Sequence, residues 1–77
     1  MSGNETLLSR AGYKKLFDEH EYRKKVKRIE LSKAIGEAIE QGDLKENAGY
    51  HAAKEEQAKN EKRMLEIEAK LASVRII

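Results

Sequence analysis

The clearest hydrophobic pattern lies in the second half of the chain, where apolar positions recur at alternating steps of three and four residues. This spacing is typical of the a/d seam of a coiled coil and predicts a long helix over about residues 47–75. Two seam members, Gln57 and Asn60, are polar, and polar seam residues fix the register of paired helices at some cost in stability. We interpret the stripe as a packing surface formed by Tyr50, Ala53, Gln57, Asn60, Met64, Ile67, Leu71 and Val74.

The first half of the chain predicts a second long helix with a less regular face. Ser9 is placed to cap this helix, which extends over about residues 10–41. Three basic residues, Arg23, Lys24 and Lys27, interrupt its apolar stripe, although their long stems can cover apolar surface while the charged groups stay in water. The stripe consists of Tyr13, Leu16, Phe17, His20, Leu31, Ala34, Ile35 and Ala38.

A smaller apolar stripe on the first helix faces away from this packing surface. Tyr22, Val26 and Ile29 follow an i, i+4, i+7 spacing. An exposed stripe of this kind usually meets another surface. We therefore predict either weak self-association through these three residues or a further domain that covers them.

A short reversal separates the two predicted helices. Gly42 is the residue type usual just past a helix end, and Asp43 is a favoured cap for the next helix, which places the reversal at residues 42–47. Residues 1–8 carry mostly small and polar side chains and predict a flexible N-terminus. Two long helices joined by a short turn can bury their stripes against each other. The predicted fold class is therefore all-α: a long antiparallel two-helix coiled-coil hairpin over residues 9–77, with an acidic tip.

Composition narrows the functional classes. A chain of 77 residues forms one domain at most and has a thin core, so no enclosed active site and no independent enzyme are expected. There is no cysteine to supply a disulfide or a thiolate metal site, and a net charge of +2 is too small to hold the whole molecule on nucleic acid. No apolar run approaches the roughly 20 residues of a membrane span. We expect a cytoplasmic protein without a membrane partner.

Two acids at the predicted tip have two interpretations. Asp43 and Glu46 match the capping-box spacing, in which the first side chain caps the helix and the glutamate three residues later reaches back to it. From spacing alone, this structural interpretation is the better one. Alternatively, two ionised carboxylates on a protruding tip form a half-site for Mg²⁺, a cation that shares its coordination shell with water and phosphates. Two carboxylates cannot hold the ion alone, so a second molecule would have to complete the site.

The histidines and the basic run give weaker signals. His20 falls on the packing face and is better interpreted as a tolerated core residue than as a metal ligand, whereas His51 follows the tip and could stack on or bond to a partner. Residues 23–28 form the densest basic run, which invites a nucleic-acid interpretation. A solvated face balanced by neighbouring acids is the better interpretation, because aromatic residues that would stack on bases are scarce.

The tip segment, "GDLKENAGYHAAKEEQ", closely resembles the N-terminal coiled-coil domain of the Gre transcript cleavage and elongation factors. The segment "SRAGYKKL" is similar to the opening helix of that family, and "IEAKLASVRII" is similar to the stretch that leads into its second domain. The resemblance runs from about Leu8 to Ile76. The family's second domain, which is FK506-binding-protein-like, is expected to be absent, so the chain resembles an excised or naturally short N-terminal half.

The resemblance implies that the hairpin enters the secondary channel of bacterial RNA polymerase. Asp43 and Glu46 would help to hold a catalytic Mg²⁺ and the attacking water there, so that the polymerase cleaves the 3′ end of backtracked RNA. The chain would be a cofactor of the polymerase, which shares the Mg²⁺, and not an enzyme. An alternative is a non-catalytic module that occupies the channel, or binds another partner, without stimulating cleavage. The resemblance assigns RNA or polymerase contacts to Lys45, Asn47, Tyr50 and Lys54.

The chain departs from the family pattern at several positions. A basic residue common just before the turn falls at Ile39, whereas one shortly after it is kept as Lys54. Two apolar seam positions fall at His20 and Arg23, and a proline common at the position of Ile29 is missing. We expect these differences to affect RNA contacts and arm stability more than the metal-directing chemistry. The acidic tip matches the cleavage-stimulating members and not those that inhibit polymerase.

Overall fold

A computed structural model describes residues 6–77, which form the predicted helical hairpin. The molecule measures 51 × 24 × 13 Å along its principal axes, and the helices run antiparallel. The first arm, residues 10–40, contains two α-helices joined by a π-helical segment, and the second arm is one α-helix. The elements are β1 (Thr6–Leu8), α1 (Arg10–Tyr22), the π segment (Arg23–Lys27), α2 (Arg28–Glu40), α3 (Ala48–Ala72) and β2 (Val74–Ile76).

The start of the first arm follows the predicted cap. The Ser9 hydroxyl oxygen accepts a hydrogen bond from the backbone N–H of Gly12 at 3.0 Å, which satisfies one of the unpaired donors of the first helical turn. The arm ends at Glu40, one residue before the predicted end. A single serine therefore explains why the helix begins where it does.

The seam predicted for the second arm is confirmed. All four buried residues of α3, namely Ala53, Asn60, Met64 and Ile67, belong to it. In the first arm, Leu31 and Ala38 are buried, as predicted. Two residues placed on the packing face by the periodicity, Phe17 and Ala34, are instead exposed. Two helices that contact only each other cover a narrow stripe, so positions at its flanks stay in solvent.

The π segment in the middle of the first arm was not predicted. The backbone N–H of Arg28 donates to the carbonyl oxygen of Arg23, five residues back instead of four. The buried amide of Asn60 pairs with the same residue: Nδ2 donates to the Arg23 carbonyl at 3.3 Å, and Oδ1 accepts from Arg23 Nη1 at 3.0 Å. The polar seam residue of the second arm is thus matched to the irregular turn of the first.

The base of the hairpin carries a pair of short strands that the sequence did not predict. Strands β1 and β2 pair in parallel, with Leu7 opposite Arg75 and Leu8 opposite Ile76. Thr6–Leu8 therefore lie in a strand instead of a flexible end, and the second helix ends at Ala72, before the predicted residue 75. The last residues include Val74, Ile76 and Ile77, whose β-branched side chains favour extended backbone. The prediction for residues 1–5 lies outside the described residues.

Candidate functional site

The tip between the arms is a tight turn that needs unusual backbone angles. The N–H groups of Gln41 and Gly42 donate to the carbonyl oxygens of Ala38 and Ile39 at 3.0 and 3.1 Å, which ends the helix. Gly42 then adopts a φ of 82° and Asp43 a φ of 34°. Glycine enters this left-handed region freely, and aspartate is among the few other residue types that tolerate it. The residue types at 42 and 43 therefore follow from the shape of the reversal.

The helix after the tip is capped by Asn47, and the predicted capping box of Asp43 and Glu46 is wrong. Asn47 Oδ1 accepts from the backbone N–H of Tyr50 at 2.9 Å, and α3 begins only at Ala48. Asp43 cannot act as the cap because it lies before a separate turn, which the Glu46 N–H closes on the Asp43 carbonyl at 3.2 Å. Asparagine is as good a cap as aspartate, so the signal was present in the sequence one turn later.

Asn47 also ties the two arms together. Its Nδ2 donates to the carbonyl oxygen of Ala38 at 2.7 Å and to that of Gly42 at 3.2 Å. Both amide donors and the amide oxygen are therefore used inside the hairpin. The contact with RNA or polymerase assigned to Asn47 stays a prediction, but the geometry of its side chain gives it a structural role.

The two tip acids are open to solvent. Asp43 and Glu46 are both exposed, and within residues 6–77 neither carboxylate accepts a hydrogen bond or pairs with a cation. They belong to the same turn, since the backbone N–H of one bonds the backbone carbonyl of the other. With the capping role removed, no contact among the described residues accounts for these two carboxylates.

The donor set of the tip suits a shared magnesium site and not a complete one. Two carboxylates offer hard oxygen ligands of the kind Mg²⁺ prefers. Among residues 6–77 there is no group of three or more acids, histidines or cysteines that could hold a metal ion. Asp43 and Glu46 would therefore be the ligands of this chain, and water, phosphate or a partner's acids would have to supply the rest.

His51 contacts the acidic turn from the second arm. Its Nε2 donates to the carbonyl oxygen of Lys45 at 3.0 Å, and its ring meets the Tyr50 ring edge-on, with 5.4 Å between centroids. Sequence reasoning left this residue as a weak candidate for partner contact. Its position one turn into a capped helix, facing back over the reversal, is the signal that could have identified the contact.

The remaining predicted contact residues lie around the tip without converging on one point. Lys45 and Lys54 are exposed, and Lys54 Nζ makes only a long contact of 3.5 Å with Gln57 Oε1. Tyr50 is half-buried at the start of α3. Ile39, where the family pattern has a basic residue, is 49% exposed. Of the two predicted lysine contacts, Lys45 therefore lies within the acidic turn and Lys54 lies farther along, in the second turn of α3.

The middle of the hairpin, by contrast, pairs its charges. Arg63 donates to both carboxylate oxygens of Glu19 at 2.8 and 3.0 Å, and Arg23 donates to the same carboxylate at 2.8 Å. The hydrogen bond from Arg63, aided by Arg23, lowers the pKa of Glu19 from 4.5 to about 2, against the opposing effect of burial. His20 Nε2 lies 2.7 Å from Glu68 Oε2, across the arms. His20 is thus an inter-helix bonding residue at the seam.

The basic run of residues 23–28 is balanced by acids to a large extent. Arg28 forms a two-pronged pair with Glu61 at 2.6 and 3.0 Å, and Lys25 pairs with Glu21 at 2.7 Å. These hydrogen bonds raise the pKa of Arg28 and of Lys25 and lower those of their carboxylate partners. The interpretation as a face balanced by neighbouring acids is supported over that of a free nucleic-acid patch.

The base carries a different feature. A concavity of about 410 Å³ is lined by Arg10, Tyr13 and Ile76, at the end of the hairpin opposite the tip. It contains none of the predicted site residues. Chemistry proposed for the acids therefore does not involve this concavity.

The class of protein follows from this geometry: an antiparallel helical hairpin whose open carboxylates lie at its far tip. A family model described as "Transcription elongation factor, N-terminal" matches residues 6–76. The chain therefore belongs to the family of GreA and GreB N-terminal domains.

Individual relatives agree with this assignment. The chain is 53% identical over 70 residues to the transcription elongation factor GreA of Acholeplasma laidlawii, covering 91% of this chain and 44% of that protein. It is 53% identical over 66 residues to GreA of Haemophilus influenzae, covering 86% of this chain and 42% of that protein. For GreA of Streptomyces coelicolor the identity is 47% over 75 residues, covering 97% of this chain and 46% of that protein. The chain thus spans less than half the length of these curated relatives.

No helix within residues 6–77 combines the length and apolar character that crossing a bilayer requires.

Proposed function

We propose that this hairpin is the polymerase-entering arm of a transcript cleavage factor. In this proposal it enters the secondary channel of bacterial RNA polymerase and brings Asp43 and Glu46 to the active centre, where a backtracked RNA 3′ end lies. The polymerase performs the cleavage, and the chain acts as its cofactor. A partner of this kind makes the bacterial cytoplasm the expected location.

One observation carries the proposal: two exposed acids, whose carboxylates have no partner within residues 6–77, lie on one turn at the end of a 51 Å hairpin. A rod 13 Å across in its thinnest direction can reach into a channel that a globular domain cannot enter. Family membership supports the same function, because the relatives are named as transcription elongation factors. The capping role that competed with this interpretation belongs to Asn47.

The chemistry expected of the acids is limited and specific. When bound, Mg²⁺ polarises phosphate oxygens and activates water for phosphodiester hydrolysis. Asp43 and Glu46 would add two negative oxygen ligands to a cation that the polymerase and RNA also hold. Lys45, exposed within this turn, and Lys54, exposed in the second turn of α3, would contact RNA or polymerase, and Tyr50 would offer an aromatic edge.

A second function belongs to a different class: a non-catalytic module that fills the channel, or binds another partner, without affecting cleavage. The half-exposed arms and paired charges suit either function. Only the second function leaves the two open acids without a purpose. The two functions therefore differ in what the loss of one carboxylate does.

The test is cleavage of backtracked transcripts at saturating chain. We expect Asp43→Asn and Glu46→Gln each to lower the stimulated rate at least about 10-fold, since each removes a metal ligand of the chain. Melting temperatures should match the parent chain, because neither carboxylate bonds within residues 6–77. Asparagine also tolerates the φ of 34° at position 43.

A matched control separates ligand loss from loss of charge. Glu40 is exposed near the same end of the first arm, and Glu40→Gln removes the same charge without touching the turn. This variant should stimulate cleavage like the parent chain. Full stimulation by Asp43→Asn and Glu46→Gln would contradict the proposal, and channel competition without stimulation by any form would favour the non-catalytic module.

A second, weaker contact also remains a proposal. Tyr22, Val26 and Ile29 are 53%, 42% and 63% exposed on the first arm, on the side away from the seam. We propose that this stripe supports weak self-association of the chain. Its apolar area is small, so the association would be detectable only at high concentration.

A further inference from the structure

We propose that His51 is a positioning residue for the two tip acids, and the proposal rests on the cleavage function proposed above. The peptide group between Lys45 and Glu46 makes two hydrogen bonds that hold the turn. Its N–H closes the turn on the Asp43 carbonyl at 3.2 Å, and its carbonyl oxygen accepts the Nε2 hydrogen of His51 at 3.0 Å. The peptide plane that joins Lys45 to Glu46 is thus hydrogen-bonded through both its N–H and its carbonyl group.

This double attachment links the two carboxylates. The N–H bond fixes Glu46 relative to the backbone of Asp43, and the carbonyl bond fixes the same plane relative to α3. If the carbonyl is released, the plane can rotate about its neighbouring dihedrals, and Glu46 moves with it. The distance between the two acids then varies, which weakens their use as a pair of ligands.

No other side chain performs this task within residues 6–77. Asn47 holds the carbonyls of Ala38 and Gly42, which lie before the two acids and not between them. The contact from His51 is the one side-chain hydrogen bond to the backbone between Asp43 and Glu46 in the described part of the chain. The two carboxylates accept no hydrogen bond there, so the bond from His51 is the side-chain contact that orients the turn, beside the backbone bonds that the N–H groups of Glu46 and Asn47 donate to the carbonyls of Asp43 and Leu44.

The chemistry of the bond defines what a replacement must supply. A carbonyl oxygen only accepts, so His51 Nε2 must carry the hydrogen. The ring lies at the start of a capped helix and against the Tyr50 edge, which limits its freedom before the bond forms. The amide nitrogen of glutamine is as many covalent bonds from Cα as His51 Nε2, whereas that of asparagine is one bond closer. Glutamine can therefore reach the Lys45 carbonyl, and asparagine cannot.

The experiment compares His51→Gln with His51→Asn in two measurements. In the first, NMR relaxation of the isolated chain reports backbone motion at residues 43–46. We expect His51→Asn to raise the mobility of these amides and His51→Gln to leave it near that of the parent chain. Melting curves should nearly coincide for all three, because His51 is exposed and is not one of the buried seam residues.

In the second measurement, transcript cleavage is titrated with each chain. We expect His51→Asn to lower the maximal stimulated rate about 10-fold while the half-saturating concentration changes less than about twofold, and His51→Gln to restore the rate. Equal motion and equal rates for His51→Asn and the parent chain, with Asp43→Asn inactive, would overturn the role of His51 and leave the proposed function intact. Full activity of Asp43→Asn would instead overturn the proposed function and this inference with it.

Discussion

The tip and the middle of the hairpin use the same residue types in opposite ways. In the middle, Glu19 accepts three hydrogen bonds from Arg23 and Arg63, and Asn60 is buried with its amide fully engaged. At the tip, the carboxylates of Asp43 and Glu46 have no partner within residues 6–77. The backbone there is instead held by the side chains of Asn47 and His51.

This difference separates the residues that maintain the fold from those that are available to a partner. Removing a charge from the middle leaves a guanidinium without its carboxylate, which costs stability. Removing one at the tip breaks nothing within the hairpin. Stability should therefore depend on the acids in the middle of the hairpin, and activity on the acids at its tip.

The largest effect on stability is expected at Asn60. Asn60→Ala removes the donor to the Arg23 carbonyl and the acceptor of the Arg23 guanidinium, and leaves a small cavity beside Met64. We expect a loss of about 2–4 kcal/mol in the free energy of unfolding, measured by urea denaturation.

Gln57 provides the control for this substitution, because it is a polar seam residue that is only half-buried. Gln57→Ala should cost less than about 1 kcal/mol. If the two variants lose equal stability, the hydrogen bonds between Asn60 and the π segment add no more to the free energy of unfolding than a half-buried seam residue does.

The second comparison applies one substitution, Glu to Gln, to both regions. Glu19→Gln should cost about 1–2 kcal/mol at neutral pH, after allowance for screening at a side chain that is 31% exposed. Glu46→Gln should leave the unfolding free energy unchanged within error. Denaturation of both variants beside the parent chain tests the pair, and equal losses would remove the distinction between the regions.

The same substitution at Glu19 should change the acid dependence of stability. The folded pKa of about 2 lies below the ordinary 4.5, so the unfolded state binds the proton first. The contribution of Glu19 is therefore complete above about pH 4.5 and is lost as the pH falls towards 2. The parent chain should lose more stability than Glu19→Gln over this interval, as measured by unfolding at a series of pH values. Parallel curves would contradict the lowered pKa.

A third comparison uses glycine to alanine at two positions without close neighbours. A Cβ at either Gly36 or Gly42 would meet nothing within 4 Å apart from the adjoining chain, so the backbone conformation distinguishes the two positions. Gly36 lies in α2, where alanine should stabilise by about 0.5–1 kcal/mol. Gly42 has a φ of 82°, where alanine should destabilise by about 1 kcal/mol. Thermal melting tests the opposite signs, and a shared sign would contradict the strained turn.

The smallest effect is expected on the outer stripe of the first arm. Val26→Glu should weaken self-association in sedimentation equilibrium and leave the helical content unchanged, because Val26 is 42% exposed. Ala58→Glu, at an exposed position of the second arm, is the control and should have no effect. A strict monomer that behaves the same with and without Val26→Glu would remove the proposed contact.

Much of the architecture could be predicted because it depends on repetition. The seam of the second arm was predicted in register, since Ala53, Asn60, Met64 and Ile67 recur with a fixed spacing and are buried. The Ser9 cap was also predicted from residue type and position. Periodic burial and side-chain capping are local rules, so sequence alone is sufficient for them.

The features that were missed depend on departures from such rules. The π segment breaks the assumption of one uniform helical period, and its match with Asn60 joins residues that are far apart in the chain. The same limit applies at the tip, where spacing favoured Asp43 as a cap but the left-handed backbone moved the cap to Asn47. The β1–β2 pair likewise joins the two ends of the described chain.

That pair has a mechanical consequence. Because β1 and β2 run in the same direction, a pull applied before Thr6 and at Ile77 acts on opposite ends of the ladder. The force then loads all of its hydrogen bonds together in shear, including the one from the Ile77 N–H to the Leu8 carbonyl at 2.9 Å, instead of opening them one at a time. The base of the hairpin should therefore act as a clamp that resists separation of the arms by tension.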